Sequence, residues 1–201
     1  MATFQARVEG LTGLTIGTSP TTGELTEYLK DGVNEVTNRI ILLRPQDKNM
    51  FTRKSSVQSS NGYETGRTEV LGVMREATAD GSTDGSTAWR SCRRISPLLQ
   101  SRVVDTESLE YASIYNPVYI LDDSGKVSVY PVPDGTDDGF IVYYINNNAV
   151  NDSGASLAYS HDAIDYFPTD KIYLVVMYAG IRSLNNALST KADDISEFVE
   201  P

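Results

Sequence analysis

The chain carries one histidine, His161, and one cysteine, Cys92. Ser–His–Asp, Cys–His and multi-histidine metal chemistry all need a positioned imidazole, so each would depend on His161 alone. His161 stands beside Asp162, in a polar segment just ahead of an apolar run. That setting reads as a helix-boundary or surface histidine. Cys92 has Arg90, Arg93 and Arg94 as neighbours, whose charges favour a thiolate, but an ordinary strand or loop cysteine is the simpler reading. A single thiol excludes an internal disulfide framework and a thiol-only metal site. Gly125-Lys126 lacks both the upstream glycine and the following hydroxyl of a P-loop, and no Gly-x-Gly-x-x-Gly opens a helix. Asp122-Asp123-Ser124-Gly125 and the run Asp134 to Asp138 have the composition of calcium loops. They lack the EF-hand ligand order and its closing glutamate, so ordinary turns are expected. Asn151-Asp152-Ser153 fits the glycosylation sequon, but no secretory signal gives that match a meaning. No pair of carboxylates stands out as a glycosidase site. The expectation is a non-enzymatic protein with no metal and no cofactor.

One cluster departs from the acidic trend: Arg90, Arg93, Arg94 and Arg102, with Trp89 beside them. It can touch phosphate or stack on a base, or it can pair with carboxylates of the same or an adjacent subunit. The formal net charge is −10. Residues 1–104 hold 13 Lys+Arg against 11 Asp+Glu, and residues 105–201 hold 4 against 16. Affinity for nucleic acid comes from neutralising phosphates, so the acidic half argues against wrapping DNA. Pairing is the favoured role of the cluster, and alanine there is expected to lower assembly rather than DNA affinity. No apolar run is long enough to span a membrane.

The elements that must position these residues are two helices at the ends and strands between. Residues 1–20, rich in Gly, Thr and Ser, read as an extended arm or loop. Thr21 and Glu24 have capping-box spacing. Leu25, Tyr28, Leu29, Val33, Val36 and Ile40 then follow the helical repeat until Pro45 stops it. Residues 50–58 and 67–76 are strand candidates. The duplicated Asp-Gly-Ser-Thr of 80–87 reads as a flexible loop or hairpin tip. Residues 97–112 suggest short helical turns, with Asp105 as a cap and Leu109 facing inward. Segments 117–121, 126–132 and 140–145, separated by Asp/Gly turns, predict an antiparallel meander. The third is apolar throughout, as expected for a strand covered on both faces.

A long helix follows Pro168, which suits a first turn. Ile172, Val175, Val176 and Ala179 form one apolar face; Leu174, Tyr178, Ile181, Leu184 and Leu188 form another. A helix apolar on two faces is buried between two partners. One partner is the helix over 21–43; the other is either the β-rich insertion or a neighbouring subunit. With the neighbour as the favoured reading, the expected subunit interface is Ile172, Val176, Tyr178, Ile181, Leu184 and Leu188. Residues 191–201 read as a separate short helical tail. The fold class is α+β: an antiparallel helical hairpin or bundle from residues 1–45 and 162–201, with a long antiparallel β-rich insertion over 46–161.

Three patterns carry a family resemblance. They are Gly10-Leu-Thr-Gly-Leu with Thr21-x-x-Glu-Leu25 and Val36-x-x-Arg39; Asn116-Pro-Val-Tyr119 with Val127-x-Val-x-Pro131; and Phe167-Pro168 with Tyr178-Ala-x-Ile181-x-Ser-Leu184. Together they resemble virion structural proteins of tailed bacteriophages, marine ones especially, and the architecture is similar to their head-to-tail adaptors. The resemblance implies a homo-oligomeric ring, typically of twelve copies, in the virion neck and assembled in the host cytoplasm. The portal protein would sit above it and a tail or nozzle protein below, with genomic DNA passing through unspecifically. It also implies a C-terminal grip on the portal by Ile195, Phe198 and Val199. The rival readings are a tail-completion, tail-terminator or tail-tube protein, and a β-rich module binding sugar or protein.

Overall fold

The computed structural model describes residues 2–66, 68–77, 88–133 and 138–199, with backbone alone at Ala88 and 193–199. The fold is α+β, and it divides into two compact units: residues 1–51 with 147–201, and residues 52–146. The predicted boundaries at 45/46 and 161/162 thus differ. Residues 46–51 and 147–161 belong with the helices.

Among the described residues the helical unit holds three α-helices: α1 (Phe4–Thr12), α2 (Thr22–Leu43) and α4 (Ile172–Val199). The first corrects the expected arm. Thr3 caps α1 by accepting from Ala6 N, and Gly13 ends it in the left-handed region at φ 71°. That conformation suits glycine because it has no Cβ to clash. Phe4 and Val8 are wholly buried.

The capping box of α2 forms as the sequence suggests. Glu24 N donates to Thr21 Oγ1 at 3.2 Å, and Thr21 N donates to Glu24 Oε2 at 2.7 Å. The Thr21 backbone N–H, more than its hydroxyl, holds the Glu24 carboxyl below the usual glutamate range. Removing the cap by Thr21→Ala should lower stability by about 1 kcal/mol in urea unfolding followed by helix ellipticity. A variant as stable as the parent would mean the box does not set where α2 starts.

α2 and α4 run antiparallel. A Cβ at Gly32 would lie 3.1 Å from Tyr178 and 3.2 Å from Val175. Further back along α2, Tyr28 and Glu24 accept from the Asn186 amide at 3.0 and 3.1 Å. Residue numbers fall on α2 as they rise on α4. Pro168 precedes a 3-10 turn, Thr169–Lys171, that feeds α4. The expected separate tail is instead the last turns of α4, which is one helix of 28 residues.

The β unit is two four-stranded sheets. The first has the order β1 (Thr52–Lys54), β8 (Phe140–Ile145), β3 (Val70–Ala77), β4 (Ala88–Ser91). The second has the order β2 (Tyr63–Glu64), β7 (Lys126–Tyr130), β6 (Val118–Leu121), β5 (Arg93–Ile95). The meander prediction is half correct. β6 and β7 form the expected hairpin, but β8 crosses to the other sheet and pairs with β1 and β3. Among the described strands all pairs are antiparallel except β5 with β6, which is parallel. A parallel pair needs a crossover, and the segment between them supplies it with a 3-10 turn and α3 (Gln100–Val103).

Side-chain alternation builds two cores. Val73, Tyr119, Val127, Val129, Phe140 and Val142 pack together between the sheets. Val118, Ile120 and Tyr130 face the other way, against Val103 and Ala112. Two turn expectations fail in 97–112. Leu109 is fully exposed, and Asp105 closes a tight turn, accepting from Glu107 N at 3.0 Å, rather than capping a helix. The 80–87 duplication lies outside the described residues, as do residues 134–137 of the second Asp/Gly turn.

Candidate functional site

His161 serves the loop that receives α1. Ala158 N donates to its Nδ1 at 3.0 Å, and its Nε2 lies 3.2 Å from the Asn151 amide nitrogen. Asn151 Oδ1 in turn accepts from Ser153 N, Ser153 Oγ and Ala155 N. The same loop satisfies the start of α1: Phe4 N donates to His161 O at 2.8 Å and Gln5 N to Tyr159 O at 3.0 Å. Those are backbone donors that no helix can pair internally. Asn151 is buried, so its amide is committed to this loop.

Cys92 is buried, and burial pushes its thiol up to about 12 despite the Arg75 charge nearby. The arginine cluster lies in the β unit. Arg93 Nη1 and Nη2 both donate to Glu110 Oε2 at 3.1 Å, an intrachain pair. Arg90 sits 5.1 Å over the Tyr115 ring. Arg94 and Arg102 are exposed, on β5 and α3. The structure brings Arg90 and Arg93 into contact with groups of their own chain rather than with one another. Among the described residues, no three His, Cys, Asp or Glu side chains group as a metal site, and no helix is long and apolar enough to cross a membrane.

The buried arginine is one the sequence reading passed over. Arg75 is 2% exposed. Its Nε donates to Pro131 O at 2.9 Å, its Nη1 to Glu76 O at 2.8 Å, and its Nη2 pairs with Asp138. The period-two pattern was the available signal, because Arg75 shares a strand face with Val73 and Ala77.

The predicted interface residues divide by what the subunit itself consumes. Ile172 and Val176 are buried in the helical unit, and Tyr178 is half-buried against Gly32. Ile181, Leu184 and Leu188 are 57%, 39% and 64% exposed. With Met177, also exposed, they follow a 4-3-4 spacing, the repeat of a helix seam. The face of α4 beside this stripe is partly covered by α1: a Cβ at Gly180 would lie 3.1 Å from Leu11 and 3.3 Å from Thr12. A groove of about 410 Å³ remains between α1 and the start of α4, lined by Leu11, Ile172, Tyr173, Val176 and Met177. The side chains of Ile195, Phe198 and Val199 lie outside the described residues.

The chain matches no protein-family model, and no curated protein matches it significantly.

Proposed function

We propose that the chain is a structural virion protein, a head-to-tail adaptor that forms a ring between portal and tail of a bacteriophage. The observation that carries this reading is the row of exposed apolar side chains Met177, Ile181, Leu184 and Leu188 along one stripe of α4. Contiguous apolar surface of this kind marks an association site. The resemblance supplies the rest: about twelve copies, a portal above, a tail or nozzle protein below, and DNA passing without specific contacts.

Mass photometry and class averages of the protein, alone and with the portal of the same phage, test it. Ring-shaped averages on the portal are the expected result. A monomer that never joins the portal ends the reading, and six-fold or three-fold averages move it to a tail-completion or terminator protein. Ile181→Asp sharpens the test. Because Ile181 is exposed, the fold should change by less than about 0.5 kcal/mol, while ring yield should fall at least tenfold. Equal loss of fold and ring would place Ile181 in the core instead.

A further inference from the structure

A ring is closed by a head-to-tail contact, in which two different surfaces of the same chain meet. The seam on α4 supplies one surface. A second apolar patch stands at the other end of the helical unit. Leu42 and Leu43, at the end of α2, are 80% and 78% exposed, and Met50 beyond them is exposed too.

The antiparallel packing fixes where the patches lie. Gly32 is level with Val175 and Tyr178. Leu42 is ten residues beyond Gly32, and Leu188 is ten beyond Tyr178 in the opposite direction. At 1.5 Å per residue Leu42 and Leu188 are about 30 Å apart along the helix axes.

Their charges complement each other. Around the Leu42–Leu43 patch, Arg39 is already paired with Glu35, which leaves Arg44 and Lys48 against Asp47. Residues 191–200 contain Asp193, Asp194, Glu197 and Glu200 against Lys191 alone. α4 ends at Val199, and a helix C-terminus is where the backbone dipole is negative.

Ser19 reaches Asn186 and Thr190 at 2.9 and 3.0 Å. Lys191 and Ala192 are then exposed, and the helix continues to Val199. A helical extension gains most of its stability from packing an apolar face, and Ile195 and Phe198 continue the seam's seven-residue spacing in the sequence.

We infer that the occupant of the α4 seam is the Leu42–Leu43–Met50 patch of a second copy of this chain, docked head to tail. The acidic end of one α4 then lies beside Arg44 of the next copy. This rests on the ring reading, but it is tested without a portal.

The test uses cysteine variants and a short bismaleimide, on concentrated protein. Buried Cys92 is unreactive under these conditions, so an added thiol is the one that reports. Leu42→Cys and Leu188→Cys should each stay monomeric alone and cross-link to dimers when mixed. The double variant should give a ladder, since a short reagent cannot span about 30 Å within one chain. Arg44→Glu should cut that ladder several-fold, and Asp193→Lys with Asp194→Lys in the same chain should restore it. Dimers from Leu188→Cys alone would overturn the inference in favour of a two-fold α4–α4 contact. No cross-link in any mixture would place the interface elsewhere. A ladder that forms while the portal stays bare would keep the inference and end the adaptor reading.

Discussion

Arg75→Met should destabilise the β unit by about 3–5 kcal/mol, because it removes one buried cation that donates to a partly buried carboxylate and two carbonyls at once. The guanidinium holds three places at once: Pro131 O after β7, the Asp138 carboxylate before β8, and the Glu76 carbonyl of its own strand. β7 belongs to one sheet and β8 to the other. Arg75 therefore fastens both ends of the connection that crosses between the sheets. Asp138 is 17% exposed, so solvent screens the pair only in part. Pairing this charge with an apolar substitute on both sides should undo most of the damage. Arg75→Met with Asp138→Leu removes both charges, and at least half of the lost stability should return. The single tryptophan is a local reporter. Trp89 stands opposite Glu76 in the β3–β4 register, one position from Arg75 opposite Arg90. Urea unfolding followed by Trp89 fluorescence measures both variants. A loss below about 1 kcal/mol for Arg75→Met would mean that water, rather than Arg75, satisfies these groups.

The same residue explains where sequence reasoning stopped. Strands 118–121, 126–130 and 140–145 were legible because apolar alternation and Asp/Gly turns are local signals. Their pairing was not, because a long turn after β7 is compatible with a hairpin or with a crossing. The choice is made by groups far apart in sequence, such as the Arg75 side chain meeting Pro131. The parallel β5–β6 pair was hidden for the same reason, since Arg93 and Val118 meet across an intervening crossover. The α2 helix was legible to within a residue, as a capping box, a helical repeat and a following proline all agreed. On α4 the two apolar faces were legible, but what covers each was not. Ile172 and Val176 carry the same hydrophobicity as Ile181 and Leu188, and only packing separates the buried pair from the exposed one. In sequence, Leu42 and Leu43 are indistinguishable from a continuation of the α2 core stripe, and only their exposure sets them apart.

The segment most fully misread leads to the second large effect. Phe4→Ala should lower the stability of the helical unit by about 3–5 kcal/mol, the cost of emptying a buried aromatic site. The arm reading came from composition: Gly, Thr and Ser are abundant in residues 1–20. The helix signals were present but sparse. Phe4, Val8 and Leu11 have i, i+4, i+7 spacing, Thr3 stands as a cap, and Gly13 stands as a stop. Such a short helix is not stable by itself, so its existence depends on burial. Phe4 and Val8 supply that burial, and the carbonyls of Tyr159 and His161 receive its first donors. Leu11 is a control on the same helix. It is 56% exposed although it touches Gly180, and Leu11→Ala should cost less than about 1 kcal/mol. Helix ellipticity during urea unfolding reads both variants, with Trp89 fluorescence as the reference for the β unit. If residues 4–12 were an arm resting on the surface, the two substitutions would have equal, small effects. A Phe4→Ala loss several times that of Leu11→Ala, with the Trp89 transition unmoved, is the result that makes α1 part of the core supporting the α4 seam.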